Sequence, residues 1–203
     1  MIDIHTHNPV EEGTTTISAA GIHPWSAEES AFCSDDKERY SAIRKELIAA
    51  AEQVDAIGEI GLDFAADVNR EAQRKLFIEQ LKIATKCRKP VIIHSVRAFD
   101  DVMEILSTFR LKVIFHGFIG SAQQMNRAVD RGYFISYGAR TFDSPKTVKA
   151  LRETPLEMLF IETDTSKVAI EEVYEKVVSI RMESLEELVA AIENNFTKIF
   201  DVK

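Results

Sequence analysis

Short apolar, β-branched runs alternate along the chain with longer stretches whose apolar residues recur every three or four positions. MIDIH (1–5), TTTISAAGI (14–22), VDAIGEIGL (54–62), PVIIHS (90–95), KVIFHG (112–117), YFISYG (133–138) and MLFIETD (158–164) read as strands. Each is short and rich in Ile, Val or Phe, as a strand covered on both faces should be. The clearest helical stretch runs from Asn69 to Lys86, with Leu76, Phe77, Leu81, Ile83 and Ala84 on one side and Asn69 as N-cap. Ser26 with Glu29, Ser121 with Gln124 and Ser184 with Glu187 have capping-box spacing, and Ser144 before Pro145 suits an N-cap followed by the first helical residue.

Alternating strands and helices predict an α/β fold built on parallel strands, best satisfied by a TIM-like (β/α) barrel. The 203 residues form a single domain at the short end for that architecture. The shortage is visible between His7 and Thr14, where only NPVEEG joins two strand candidates. That is too little chain for a helical crossover. Either a strand and helix are missing there, leaving the barrel incomplete, or the second strand runs antiparallel.

With 45% hydrophobic residues the chain can bury one sizeable core. No apolar stretch approaches a membrane span and the N-terminus lacks a signal-peptide pattern, so a cytoplasmic protein without membrane partners is expected. Cys33 and Cys87 lie far apart and read as reduced packing residues. A net charge of −8 argues against a broad basic surface for gripping duplex nucleic acid, though not against a local phosphate site.

The candidate chemistry sits at the C-terminal ends of the strands: His5 and His7, His23, Glu59, His94, His116 and Asp164. In a parallel barrel those ends converge on one mouth. His5 and His7 are two apart and share a strand face, so the pair can take two positions on one metal ion. Glu59 can bridge two ions, His94 and His116 supply neutral nitrogen, and Asp164 supplies an anionic oxygen. Any one of these histidines alone would more often be a hydrogen-bonded structural residue. Four of the five histidines at equivalent strand ends, with a Glu and an Asp, point to ligation. His23, before Pro24, orients its loop or contacts substrate, and Asp63 braces the loop after its strand or contacts substrate.

Taken in order, DIHTH, GIHP, AIGEIGLDF, QRKLFIEQLKIA leading into KPVIIHS, VIFHGFIGS, FIETD and ENNFTKIF resemble the TatD family of metal-dependent hydrolases. The resemblance implies a deoxyribonuclease working with two divalent ions, in which His5, His7, Glu59 and Asp164 hold one and Glu59, His94 and His116 the other. It also implies a longer segment after the first histidine pair than NPVEEG provides, and H-x-R-x-A where this chain has His94, Ser95, Val96, Arg97, Ala98. The shifted Arg97 reads as a phosphate contact or as a solvent-exposed charge at a helix start. Mixed His and carboxylate ligation suits Zn, Mn, Fe or Ni, and histidine is a poor ligand for Mg.

The expected reaction is hydrolysis of a DNA phosphodiester by a metal-activated water, with Asp164 and Glu59 catalytic and His23 and Arg97 meeting the substrate. Single strands or strand ends are the expected targets, and a monomer the expected state. Hydrolysis of a carboxylic ester or amide, including an aminoacyl-tRNA ester, and metal binding with little catalysis remain alternatives.

Overall fold

The computed structural model of the chain describes residues 1–10, 12–30, 32 and 36–200. Cys33 lies outside them, and Cys87 is a free, half-buried thiol. The chain divides into two compact units, a middle one of Ser18–Val113 and a terminal one of Met1–Ile17 with Ile114–Lys203. No described helix is long and apolar enough to cross a membrane.

In the middle unit β1 (Ala19–Ala20), α1 (Lys37–Gln53), β2 (Ala56–Asp63), α2 (Arg70–Cys87), β3 (Val91–Val96) and α3 (Phe99–Leu106) follow one another. β2 lies between β1 and β3, parallel to both. Every β2 residue except Glu59 is buried, as expected of a strand covered on both faces. α2 begins where Asn69 Oδ1 accepts from the Glu71 and Ala72 N–H groups, and ends at Arg88 in a left-handed conformation. Its predicted stripe of Leu76, Phe77, Leu81, Ile83 and Ala84 is buried.

Two glutamines on α2 are also buried, and both clamp main chain. Gln80 accepts from Ile22 N at 2.6 Å and donates to Ile22 O at 2.9 Å. Gln73 accepts from Asp63 N at 2.7 Å and donates to Asp63 O at 2.9 Å. One helix thus fixes the segments that carry His23 and Asp63 while satisfying polar groups that burial would otherwise leave unpaired.

The terminal unit contains β4 (Val113–Phe115) from Ile114 on, then α4 (Ala122–Val129), β5 (Phe134–Tyr137), α5 (Pro145–Glu153), β6 (Leu159–Ile161), α6 (Ile170–Arg181) and α7 (Leu185–Phe200). β4, β5 and β6 are parallel neighbours. The N-terminal segment continues this pattern beyond β6: Ile4 N donates to Ile161 O, Asp164 N to His5 O, and His7 N to Asp164 O. Ser121 forms the predicted capping box with Gln124, Ser184 does the same with Glu187, and Ser144 Oγ accepts from Thr147 N.

Three local expectations need correction. Of the two readings left open after NPVEEG, the antiparallel one is excluded, because Ile2 and Thr15 form a parallel bridge. The long strand expected over 14–22 reduces to that bridge and the two residues of β1. Ser26 caps no helix. It is the last residue of a 3-10 turn, Pro24–Ser26, whose N-cap is His23. Proline at the first position of that turn lacks an N–H and has its φ already set.

Close strand packing gives a test. Gly61 has φ 146°, and a Cβ there would lie 2.0 Å from the carbonyl oxygen of His94. Gly132 also has positive φ, 77°, but open space around it. Gly61→Ala is therefore expected to cost about 3 kcal/mol or more through main-chain overlap, and Gly132→Ala about 1 kcal/mol from its backbone conformation alone. Urea midpoints measure both; equal losses would contradict the close approach of β2 and β3.

Candidate metal centre

In the middle unit, β2 and β3 bring Glu59 and His94 together, and the turn after β1 adds His23. His94 Nδ1 lies 3.5 Å from Glu59 Oε2, and His23 Nε2 lies 3.9 Å from the same oxygen. The other ring nitrogen of His94, Nε2, lies 3.3 Å from Asp63 Oδ2. An ionised Asp63 accepts there, so Nε2 carries the proton and Nδ1 presents a lone pair towards Glu59.

Asp63 holds more than the histidine. Its Oδ2 accepts from the indole Nε1 of Trp25 at 2.8 Å, and its Oδ1 from Ala65 N at 2.9 Å and Ala66 N at 3.2 Å. Burial pushes its carboxyl up, but the bonds from Trp25, the Ala65 N–H and His94 outweigh that and hold it below the usual carboxylate range. This is the loop-bracing role, with histidine orientation added.

The terminal unit assembles a second group. His5 and His7 stand either side of Thr6 and project alike, while the hydroxyls of Thr6 and Thr163 lie 2.7 Å apart in a hydrogen bond. His5 Nε2 and His7 Nε2 lie 4.0 and 3.8 Å from Asp164 Oδ1. The His5 and His116 ring centroids are 4.7 Å apart. Asp164 has φ 53°, a left-handed conformation that Asp tolerates better than most residues.

Behind His116 stands a carboxylate that strand-end reading does not single out. Glu162 is fully buried; its Oε1 lies 3.4 Å from His116 Nδ1 and accepts from Gly117 N at 2.7 Å. Burial pushes its carboxyl up, yet the imidazole of His116 beside it, with that of His5, holds it below the ordinary value. Directing His116 Nδ1 at Glu162 leaves Nε2 for a ligand. A signal for Glu162 exists in the sequence: it stands two before Asp164, so the two carboxylates share a face as His5 and His7 do.

The donor sets fit a divalent cation. His5, His7 and Asp164 offer atoms within 4.8 Å of one another, as do His23, Glu59 and His94, and His116, Glu162 and Asp164. Two ligand atoms at about 2.1 Å from one ion stand roughly 3–3.5 Å apart. In the first two sets the separations of 3.5–4.0 Å between nitrogens and carboxylate oxygens are close to that and longer than good hydrogen bonds. Neutral imidazoles with carboxylates suit Zn, Mn, Fe or Ni.

Arg97 is exposed, three residues beyond His94, and has φ 51° immediately before α3. A cleft of about 480 Å³ in the terminal unit is lined by Thr6, Asn8, Val10, Ser166, Lys167 and Ile170 among others. Asn8 from the short segment after His7 closes onto it, donating to Asp164 O at 3.2 Å and Ser166 O at 2.6 Å.

Comparison with known proteins agrees with this chemistry. A family profile described as TatD related DNase matches residues 5–201. The chain is 32% identical over 204 residues to the uncharacterized metal-dependent hydrolase YjjV of Escherichia coli, covering 91% of this chain and 76% of that one. The crystal structure of YjjV superimposes with a TM-score of 0.80 at 30% identity, over 95% of this chain and 79% of that one. Deoxyribonuclease Tat-D of Schizosaccharomyces pombe is 31% identical over 161 residues, covering 72% of this chain and 50% of the relative. Several curated relatives are matched over only about half of their length, 50–59%. The expected fold class, α/β of the TIM-like barrel type, is that of the solved relatives.

Removing Glu162 should expose how the terminal group is held. Glu162→Ala leaves His116 Nδ1 and the Gly117 N–H without their carboxylate partner and is expected to cost about 3 kcal/mol. Glu162→Gln, which keeps an acceptor for Gly117, should cost clearly less. Chemical denaturation of the two variants checks this, and equal stabilities would show that Glu162 does not anchor the strand end.

Proposed function

Because the chain belongs to the TatD-related DNase family, we propose that it is a metal-dependent hydrolase that cleaves DNA phosphodiester bonds, acting as a single domain over residues 1–203. The observation that supports this best is the pairing of His and carboxylate donors at the strand ends of both units, with His94 and His116 each oriented by a further carboxylate. Such supports fix the tautomer and ring direction that ligation needs. By the resemblance, His5, His7, Glu59 and Asp164 would hold one ion, and Glu59, His94 and His116 would hold a second.

Bound there, divalent ions would supply Lewis acidity to activate water and polarise the phosphoryl oxygen. Asp164 accepts the proton of the attacking water at a carboxylate oxygen. Asp63 and Glu162 keep the histidines in the tautomers that leave a lone pair for ligation, and His23 and Arg97 contact the substrate phosphate. With 25 basic against 33 acidic side chains the chain has no basic surplus, so the proposed engagement is with a short stretch of single strand or a strand end. A cytoplasmic monomer is the state proposed with it.

The test is a panel with Zn- or Mn-loaded protein: linear single-stranded DNA, covalently closed duplex DNA and a carboxylic ester. Hydrolysis of the linear single strand should be fastest. Faster ester cleavage would favour the esterase alternative, and no turnover on any substrate would leave a metal-binding protein. Asp164→Asn should lower turnover of the single strand about a hundredfold or more with an unchanged circular dichroism spectrum. Wild-type turnover in that variant would remove Asp164 from the mechanism.

A further inference from the structure

Trp25 is the only tryptophan of the chain and is 62% exposed, although its neighbours are the histidines of the middle unit's donor group. Its ring centroid lies 4.6 Å from that of His23 and 6.4 Å from that of His94. Exposed tryptophans ordinarily turn the polar N–H to water and tuck the apolar ring against the protein. Here the N–H is directed inward, donating to the buried Asp63 at 2.8 Å, and much of the indole remains open to solvent.

The ring is also held still. Ile22 is clamped at both N and O by the buried Gln80, Pro24 fixes the start of the 3-10 turn, and His23 Nδ1 accepts from Trp25 N at 3.3 Å. Asp63 in turn is pinned by Gln73 through its own main chain. An exposed aromatic face fixed from several sides and set beside ligating histidines loses little freedom when something stacks on it.

We propose that Trp25 is a base-stacking platform, which takes a nucleobase of a single strand beside the phosphate that His23 contacts, next to Glu59 and His94. The proposal rests on the phosphodiesterase reading above. It also accounts for how a chain of net charge −8 gains affinity for a polyanion: stacking uses the faces of bases and needs no basic surface. Stacking is tolerant of sequence, so Trp25 selects for unpaired bases without selecting among them.

Because Trp25 is the sole tryptophan, intrinsic fluorescence reports on this residue alone. Metal-loaded protein is titrated with a phosphorothioate oligo-dT, which resists hydrolysis, and with an abasic oligonucleotide of equal length and charge. The oligo-dT should quench the emission saturably, and the abasic strand should leave it nearly unchanged. Measured by anisotropy of a labelled oligo-dT, Trp25→Ala should weaken binding about 5- to 100-fold. Trp25→Phe, which keeps a stacking face but cannot donate to Asp63, should recover most of it. Equal quenching by the abasic strand, unchanged binding by Trp25→Ala, or Trp25→Phe as weak as Trp25→Ala would each overturn the platform, the last by reducing Trp25 to a brace for Asp63. Quenching by oligo-dT without hydrolysis of natural DNA would sink the nuclease reading and spare the platform; hydrolysis without quenching would do the reverse.

Discussion

A carboxylate withdrawn from water must find donors or a cation, and the architecture of both units is arranged around that requirement. Glu162 is enclosed completely and answered by His116 and the Gly117 N–H. Asp63 gathers an indole, two main-chain N–H groups and a histidine. Asp3, buried beneath the first histidines, accepts from both the N–H and the hydroxyl of Thr163, while burial keeps its carboxyl above the usual range. Each match fixes a local segment, and two of them, at Asp63 and Glu162, also set the ring direction of a neighbouring histidine.

The same requirement joins stability to chemistry. A histidine whose second nitrogen is committed to a carboxylate presents its remaining lone pair in one direction, which is what a metal ligand needs. Asp63 does this for His94 and Glu162 for His116. Neither carboxylate has to touch an ion to matter. Each works by removing an alternative ring orientation or tautomer.

Much of this was legible in the sequence, and the failures have identifiable causes. The core strands and α2 show because apolar periodicity and caps such as Asn69, Ser121 and Ser184 are local properties. α1 gives no comparable signal: only Ala51 among its residues is buried, so no apolar stripe marks it. The run from Thr14 to Ile22 has strand composition, yet Gln80 takes over the main-chain groups of Ile22, and that partner lies 58 residues away. Ser26 loses its cap to His23 and Pro24, a competition settled by the geometry of the turn. For the site, the order of His5, His7, Glu59, His94, His116 and Asp164 at strand ends is readable directly. The supporting roles of Gln73, Gln80 and Trp25 are not, because they depend on which side chain from a distant segment arrives beside them.

The central claim is that these strand-end donors exist to bind divalent cations. Anomalous diffraction at the manganese edge from crystals soaked in Mn tests it most directly, since it locates ions without reference to activity. The account predicts one peak within bonding distance of His5, His7 and Asp164 and another within bonding distance of Glu59 and His94. Peaks confined to other surface carboxylates, or no peak at either group, would contradict it.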